Sequence, residues 1–415
     1  MDETPAGFFA KYRPETSPDD PERVSKLVEA ILTSARDARA SDVHLRPTAD
    51  KMEMAWRLDG VLQPVAVFPR ELVPQIVARL KVLAELLTYR TDTPQEGRIR
   101  SASTAPNTVP GEQDVETRLS TFPTLFGEKA VLRLFIGSGK YRRLPELGLP
   151  EDIQSKLSEL LEATSGVILL TGPAGSGKTT TSYACLREID QQTGGGRSLV
   201  SLEDPIEVVV PGVDQSQVHA SSGFDMAVGL KSLLRQDPDV LMVGEIRDPL
   251  TAETVFQASL TGHLVLTTFH AGSSAQAVSR LGDMGIEPYL LHSGLLAIVC
   301  QRLLRQLCEC ARESAETRDL LGLPLERAKV PVGCPACRGT GYRGRFVIAE
   351  LLLPDLGEVG EGILANANAR HLEKLAVESG MICQWERGLR AVQSGRTSPQ
   401  ELRRVLGVGR ESRVS

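Results

Sequence analysis

The chain of 415 residues has few aromatic side chains, no excess of positive charge and no long apolar run. Aromatic residues make up 4% of it and its formal net charge is −6, so it lacks the stacking platforms and basic face of nucleic-acid-binding proteins. Its longest apolar stretch, around Leu295–Cys300, is far shorter than the ~18 residues of a membrane-spanning helix. The first residues have no basic segment before an apolar core, and we expect no secretory signal.

A glycine-rich segment after a short apolar run carries a strong functional signal. Val167–Thr171 has the length of a buried strand, and Gly172–Thr179 fits the phosphate-loop pattern GxxxxGK[ST] at every fixed position. In this pattern backbone N–H groups surround the nucleotide phosphates, Lys178 contacts the β- and γ-phosphates, and the Thr179 hydroxyl ligates Mg²⁺. The alternative is a glycine-rich turn without a ligand. The predicted nucleotide-binding residues are Gly172, Pro173, Ala174, Gly175, Ser176, Gly177, Lys178, Thr179, Thr180 and Asp204.

Three further apolar runs of strand length end in polar residues. They are Leu199–Leu202 before Glu203 and Asp204, Val240–Val243 before Glu245, and His263–Thr268 before His270. Segments with helical spacing lie between the runs, which favours an α/β fold with a parallel sheet and ligands at the carboxyl ends of its strands. We therefore expect Glu203, Glu245 and His270 to lie near the phosphate loop at one edge of the sheet. Each of them alone could be a solvated loop residue.

These motifs resemble those of the ATPases that power bacterial type II secretion and type IV pilus assembly or retraction. The resemblance rests on the phosphate loop, an "Asp box" at 201–207, a Walker B run at 234–248 and a "His box" at 260–270. It covers roughly residues 24 to 408. The matching segments outside these motifs are Ser41-Asp42-Val43-His44, Arg57-Leu58-Asp59-Gly60, Gln301-Arg302-Leu303, Gly341-Tyr342-Arg343-Gly344-Arg345 and Gly395-Arg396-Thr397-Ser398. It implies a RecA-like P-loop core of the α/β class, an α+β (PAS-like) amino-terminal module and a helical carboxyl-terminal region with a possible zinc-binding motif.

The resemblance also implies roles for the residues at the strand ends. Glu245 orients or deprotonates the attacking water, while Glu203 and Asp204 hold Mg²⁺ through water or assist in that role. No aspartate directly precedes Glu245, so metal contact there would be indirect. His270 senses or positions the γ-phosphate, and His263 is expected to be a buried structural partner.

Arginines complete the site that the resemblance implies. Arg118 and Arg133 lie on segments that alternate like strands, and in the family arginines at these positions reach nucleotide from the amino-terminal module. Ordinary surface arginines on edge strands are the alternative interpretation. Arg235 matches a second family arginine, but a lysine, Lys231, stands where the family usually has another. Lysine offers a point charge without the bidentate fork of arginine, which weakens the case for Lys231.

Four of the seven cysteines are close together in the sequence. Cys334 and Cys337 form a CxxC pair, and Cys308 and Cys310 form a CxC pair, where secretion and pilus assembly ATPases often carry two zinc-binding CxxC pairs. A structural zinc site with four thiolates is feasible, and free reduced cysteines are the alternative. The resembling retraction enzymes usually lack such a region. A disulfide is not expected in the cytosol.

The sequence can be divided coarsely into five parts. Residues 1–21 are polar and proline-bearing and are expected to form a flexible tail. An α+β module at 22–140 includes a loop at 101–114, and a proline-bearing linker follows at 141–150. The ATPase core spans 151–286. A helical region at 287–408 contains the cysteine motif at 308–345.

The resemblance implies an ATP-hydrolysing motor that uses ATP and Mg²⁺, with Zn²⁺ as a possible further cofactor. Its partners would be further copies of itself, in a homohexameric ring, and the inner-membrane platform and assembly proteins of a secretion or pilus system. Its place would be cytoplasmic, peripheral on the inner membrane. The family's larger amino-terminal docking domain is expected to be missing, because the Ser41–His44 motif comes so early. A retraction ATPase and a nucleotide-binding scaffold with negligible turnover are the alternatives.

Overall fold

The structure, a computed structural model, describes residues 4–15, 17, 20–99, 117–134, 143–219 and 222–407. The chain divides into two units, each with its own hydrophobic core. The first unit comprises Met1–Gly137, Leu307–Arg312 and Pro331–Gly344. The second comprises Ser138–Gln306, Glu313–Val330 and Arg345–Ser415.

An antiparallel sheet and three helices form the amino-terminal part of the first unit. The elements are α1 (Pro5–Ala10), α2 (Arg23–Asp37), β1 (Asp42–Pro47), β2 (Lys51–Leu58), β3 (Val61–Pro69), α3 (Val73–Leu83), β4 (Gln95–Ile99), β5 (Thr117–Thr124) and β6 (Gly127–Leu134). The strands pair in the order β3-β2-β1-β6-β5-β4. Met52, Met54 and Trp56 of β2 are buried and alternate with half-buried residues, because one face of the sheet packs against the helices. This is an α+β module, and its likeness to a PAS domain stays a prediction.

A larger sheet organises the second unit. Its elements begin with α4 (Glu151–Leu160), β7 (Gly166–Thr171), α5 (Lys178–Thr193), β8 (Leu199–Glu203), β9 (Asp214–Gln217), α6 (Met226–Leu233), β10 (Val240–Val243), α7 (Pro249–Leu260), β11 (Leu264–Phe269), α8 (Ser274–Asp283) and α9 (Pro288–Gly294). They continue with β12 (Leu295–Leu307), β13 (Arg312–Ser314), α10 (Thr317–Leu320), β14 (Ala328–Val330), β15 (Tyr342–Leu352), α11 (Val359–Leu364), α12 (Ala369–Glu378), α13 (Gln384–Gln393) and α14 (Pro399–Leu406).

The seven strands of this sheet follow the order β15-β12-β7-β11-β10-β8-β9. β7 pairs in parallel with both β11 and β12, and β10 pairs in parallel with β8 and β11. Every residue of β7, β8, β10 and β11 is buried, as expected for parallel strands that are covered on both faces. The carboxyl ends of these strands therefore meet at one edge of the sheet, as the sequence predicts.

One prediction about the carboxyl-terminal region was wrong. The region after residue 287 was expected to be helical, but it contributes the long strands β12 and β15 to the main sheet, and four helices follow. β12 carries the apolar run Leu295–Cys300, which periodicity alone cannot separate from a buried helix segment. Pairing with β7 decides in favour of the strand.

A helix lies within the segment 1–21, which was expected to be a flexible tail. Within the described residues, α1 places Phe9 at 2% exposure against the rings of Trp56 and Phe68, at centroid distances of 6.2 and 6.1 Å. Two adjacent phenylalanines supply enough apolar surface to dock a short helix despite its polar neighbours.

The loop expected at 101–114 lies outside the described residues, as do the first two residues of the 141–150 linker. In the rest of that linker, Leu144–Leu147 forms a 3₁₀ turn. Among the described residues, no helix combines the length and the apolar composition that a membrane crossing requires.

Candidate nucleotide-binding site

The phosphate loop connects the carboxyl end of β7 to the start of α5. Gly172, Gly175 and Gly177 have φ values of +143°, +73° and +93°, in the region that favours glycine. A Cβ on Gly172 would lie 2.5 Å from the Gln301 carbonyl oxygen, and one on Gly177 would lie 3.1 Å from Gln301 Nε2. The glycines thus serve the turn and also a close approach by β12.

Lys178 is buried at the amino end of α5, with its ammonium group inside the loop. Its Nζ donates to the carbonyl oxygens of Gly172, at 2.9 Å, and Pro173, at 3.2 Å, and lies 3.4 Å from His270 Nδ1. Burial lowers the pKa of this ammonium from its ordinary value, although the Glu245 carboxylate opposes the shift. A buried cation held by carbonyl dipoles suits a site that receives phosphate oxygens.

A continuous chain of polar contacts joins Lys178 to the ends of β10 and β8. Glu245 Oε1 lies 2.7 Å from His270 Nε2, and Glu245 Oε2 accepts from Arg247 Nε at 2.7 Å. Arg247 Nη1 donates to Asp204 Oδ2 at 3.0 Å, and the bond to Glu245 raises the pKa of this guanidinium. His270 Nδ1 also lies 3.1 Å from the Gly172 carbonyl oxygen, so the imidazole contacts the loop, Lys178 and Glu245 at once. The structure therefore brings together Lys178, His270, Glu245 and Asp204.

Glu203 lies in a different setting from Asp204. It is 2% exposed, and Oε1 accepts from Ser201 Oγ at 2.7 Å and from Gln215 Nε2 at 3.0 Å. Oε2 accepts from the Tyr183 hydroxyl, and burial together with this carboxylate raises the pKa of Tyr183. Glu203 thus links α5, β8 and β9, and its oxygens are already occupied by side-chain donors.

The loop has groups that fit a nucleotide and Mg²⁺. The Ser176 hydroxyl is buried, and in the described part of the chain it has no hydrogen-bond partner. An orphaned buried oxygen beside a buried ammonium fits a ligand that supplies both charge and hydrogen bonds. Thr179 and Thr180 follow directly on the first turn of α5, where Thr179 is half-buried and Thr180 is exposed. These groups could hold the phosphates and the metal.

The other predicted residues of the second unit do not take part in the contacts that join Lys178 to Asp204. Arg235 and Lys231 are exposed at the carboxyl end of α6. His263 Nδ1 lies 3.0 Å from the Ala258 carbonyl oxygen and 3.2 Å from Thr261 Oγ1, where α7 ends. His263 is half-buried there, and its structural role stays a prediction.

Arg118 and Arg133 stand opposite each other on β5 and β6 of the first unit. The register extends this pair on both sides, with Arg98 on β4 opposite Arg118, and Asp42 on β1 opposite Arg133 and Arg57. Directly opposed residues share one face of a sheet, so four arginines and one aspartate form a row, which we call the arginine row. Asp42 pairs with Arg133 at 3.2 Å and with Arg57 at 3.3 Å. The row has an excess of positive charge suited to an anion.

The four clustered cysteines also belong to the first unit. Their Sγ atoms all lie within 4.8 Å of one another, with 3.7 Å between Cys308 and Cys334 and 3.9 Å between Cys310 and Cys337. Four sulfurs at Zn–S bonds of ~2.3 Å in a tetrahedron are about 3.8 Å apart. Although burial opposes it, N–H groups of Cys334 and Gly341 lower the pKa of the Cys337 thiol to about 7. The CxC spacing is therefore compatible with a four-thiolate site.

Sequence reasoning assigned no role to three side chains that shape the nucleotide site: Arg247, Tyr183 and Gln301. Arg247 could have been found, because it lies two residues after Glu245 in the Walker B run. Gln301 lies in the Gln301-Arg302-Leu303 segment of the resemblance, which gives it no contact, and Tyr183 stands on a helix without any local pattern that marks it. Their roles depend on contacts with residues far away in the sequence.

Comparisons with known proteins agree on one family. A family model described as type II/IV secretion system protein matches residues 17–404. The chain is 39% identical to the putative type II secretion system protein E of Escherichia coli, over 94% of this chain and 78% of that protein. It is 35% identical to the type IV pilus assembly ATPase PilB of Thermus thermophilus, over 95% of this chain and 45% of that protein.

A solved structure of the pilus retraction motor PilT with bound ADP is also similar. It has a TM-score of 0.58, covering 91% of this chain and 95% of that chain, at 23% sequence identity. This degree of identity shows a likeness of fold alone.

The buried contact between Tyr183 and Glu203 gives a first prediction. Tyr183→Phe removes one donor from a buried carboxylate and should lower the free energy of unfolding by about 1–2 kcal/mol. Urea unfolding measures this change. Tyr289→Phe is the matched control, because Tyr289 is 58% exposed, and we expect it to stay within about 0.5 kcal/mol of wild type. Equal unfolding midpoints for Tyr183→Phe and wild type would contradict the assigned contact.

Proposed function

This chain belongs to the family of type II/IV secretion system proteins, and we propose that it is the ATP-hydrolysing motor of a type II secretion or type IV pilus assembly system. The chain is a P-loop ATPase of that family. The observation that carries the proposal is the contact chain from Lys178 through His270 to Glu245, at the sheet edge where the phosphate loop begins. We further propose that the core is RecA-like.

The residues of the site suit phosphoryl transfer, in which the protein chiefly positions the reactants and stabilises charge. The loop N–H groups and Lys178 would hold the phosphates of ATP, and Thr179 would ligate Mg²⁺, which neutralises charge on the β- and γ-phosphates. Glu245 would orient the attacking water and accept its proton. His270, in contact with both Lys178 and Glu245, would position the γ-phosphate.

Asp204 and Glu203 take different parts in this proposal. Asp204 is exposed and could reach Mg²⁺ through water, while the buried Glu203 assists by fixing the segment that carries Asp204. Arg247 holds both Glu245 and Asp204, so it would set the geometry of the two carboxylates.

The proposed working form is a homohexameric ring on the cytoplasmic face of the inner membrane, where it moves a platform protein. Arg118 and Arg133, as part of the arginine row, would neutralise phosphate charge on a nucleotide held by a core. Arg235 would add a further cation. Closure of the arginines on nucleotide would couple hydrolysis to motion. A retraction ATPase is the alternative, and the four-thiol cluster favours secretion or assembly. Measurable turnover would separate the motor from a scaffold.

We also propose that the cysteine cluster of Cys308, Cys310, Cys334 and Cys337 holds one structural zinc ion per chain. Two contacts join the segment from Cys334 to Gly344 to the rest of its unit. Arg338 donates to the Ala38 carbonyl oxygen at 3.1 Å, and the Gly344 N–H donates to Asp59 Oδ2 at 3.0 Å. Zinc would therefore stabilise the first unit without being part of the nucleotide chemistry.

The first functional prediction concerns Glu245 and Lys178. Glu245→Gln should keep nucleotide binding and lower steady-state phosphate release by roughly 100-fold, the scale of losing a positioned base. Lys178→Ala should impair nucleotide binding itself. Glu253→Gln, the same change at an exposed position on α7, is the control and should leave turnover unchanged. Phosphate release near the wild-type rate in Glu245→Gln would reject the role given to Glu245.

The zinc proposal predicts a metal content. Tag-free protein should contain about one zinc per chain, and Cys334→Ser should lower that value and speed hydrogen exchange in residues 305–345. Cys383→Ser changes a cysteine outside the cluster and should leave both measurements unchanged. A zinc content near zero in folded, reduced protein would favour free thiols instead.

The ring proposal predicts cooperation between subunits. Specific ATPase activity should rise with protein concentration, and Glu245→Gln subunits should poison wild-type subunits when mixed. Arg118→Ala and Arg133→Ala should each lower activity. Arg46→Ala is the control, because Arg46 and Arg133 have the same side-chain exposure of 65% and Arg46 pairs with Glu53 outside the row. Activity strictly linear in concentration, with no poisoning, would refute the ring.

A further inference from the structure

Gln301 occupies a place next to the phosphate loop that its sequence position does not reveal. β12 runs parallel to β7 up to the pair Cys300 and Thr171. There the two strands part, since β7 gives way to the phosphate loop while β12 continues for seven more residues, to Leu307. Gln301 is the first residue of β12 beyond the pairing, and it is 2% exposed.

The side chain of Gln301 contacts two points of the loop region. Its Nε2 donates to the Ser176 carbonyl oxygen at 2.9 Å, and its Oε1 accepts from Thr181 Oγ1 at 3.2 Å. The side-chain amide of glutamine offers a donor and an acceptor together at the end of a long, uncharged side chain. One contact lies on the loop and the other on α5, so Gln301 ties the end of the loop to the first turn of the helix.

The main chain of β12 also limits the loop. A Cβ on Gly172 would lie 2.5 Å from the backbone carbonyl oxygen of Gln301, and a Cβ on Gly177 would lie 3.1 Å from the side-chain Nε2 of Gln301. Gln301 therefore stands behind both ends of the loop. It draws the Ser176 carbonyl to its own side, which fixes the orientation of the adjoining peptide units.

We propose that Gln301 is a positioning residue that holds the phosphate loop in the conformation that binds the β-phosphate of a nucleotide. The proposal rests on the proposed nucleotide site. Binding is stronger when donors are already in place, because the loop then loses less conformational freedom on binding. Since the loop N–H groups surround phosphates that ADP and ATP share, Gln301 should act on both nucleotides alike.

The test measures the Kd of the full chain for mant-ADP and mant-ATP with Mg²⁺ present. Gln301→Met keeps the length of the side chain and removes its amide, and we expect both Kd values to rise about threefold to tenfold, with their ratio unchanged. Gln301→Glu keeps an acceptor for Thr181 but turns an oxygen toward the Ser176 carbonyl, so its Kd values should rise further. In steady state, KM should rise more than kcat falls.

Gln384→Met is the matched control. Gln384 is also a buried glutamine at 5% exposure, and its Nε2 donates to β12 at the Cys300 carbonyl oxygen at 2.9 Å. Both variants should lower Tm, but only the Gln301 variants should weaken nucleotide binding. If Gln301→Met does not fold, Thr181→Val removes the other partner and should raise both Kd values in equal ratio.

Two results would overturn the proposal. One is a wild-type Kd for both nucleotides in Gln301→Met despite a lower Tm, which would make Gln301 an ordinary buried residue. The other is weaker binding of mant-ATP alone, which would place its effect at the γ-phosphate. Wild-type protein that binds neither nucleotide would refute the proposed nucleotide site itself, and Lys178→Ala supplies the reference for lost binding.

Discussion

The parallel pairing of β7 with β11 and β12 is the constraint on which the nucleotide site depends. It brings the loop after β7, His270 after β11 and Gln301 on β12 to one edge of the sheet. β10, paired with β11, adds Glu245 at the same edge. Backbone hydrogen bonds fix the strands, and burial on both faces fixes their register, because a slip would expose apolar side chains. The buried apolar residues of the strands thus determine where the polar residues at the strand ends lie.

Charge balance inside the site follows from this placement. Burying an ammonium or a carboxylate without partners is costly. His270 contacts both the Lys178 ammonium and the Glu245 carboxylate, and Arg247 donates to the same carboxylate, so both buried charges have polar partners. Lys178 uses carbonyl dipoles of its own loop, while Glu245 takes a partner on each oxygen. The site therefore has partners that phosphate oxygens and a water molecule could replace. Glu203 differs, because its hydrogen-bond donors are side chains of α5, β8 and β9.

In the first unit, by contrast, charges of the same sign lie next to one another on the sheet. Like charges directly opposite each other on a sheet are destabilising, yet Arg98, Arg118 and Arg133 follow one another across three strands, and Asp42 then separates Arg133 from Arg57. A surface kept at that cost suits an anionic ligand. In the cysteine cluster, a bound metal would stabilise the close approach of the four sulfur atoms.

The sequence by itself determined the family, the phosphate loop and the strand ends that carry Glu245 and His270. Such features are local, because a glycine pattern or an apolar run of strand length specifies its own backbone. The sequence did not determine that the region after residue 287 returns to the main sheet, or that α1 docks through Phe9. Nor did it reveal the register that aligns the arginines, or the contact of Gln301 with the phosphate loop. These features were decided by tertiary structure, because each depends on pairing or packing between segments that are distant in the chain, and no local pattern encodes that partner.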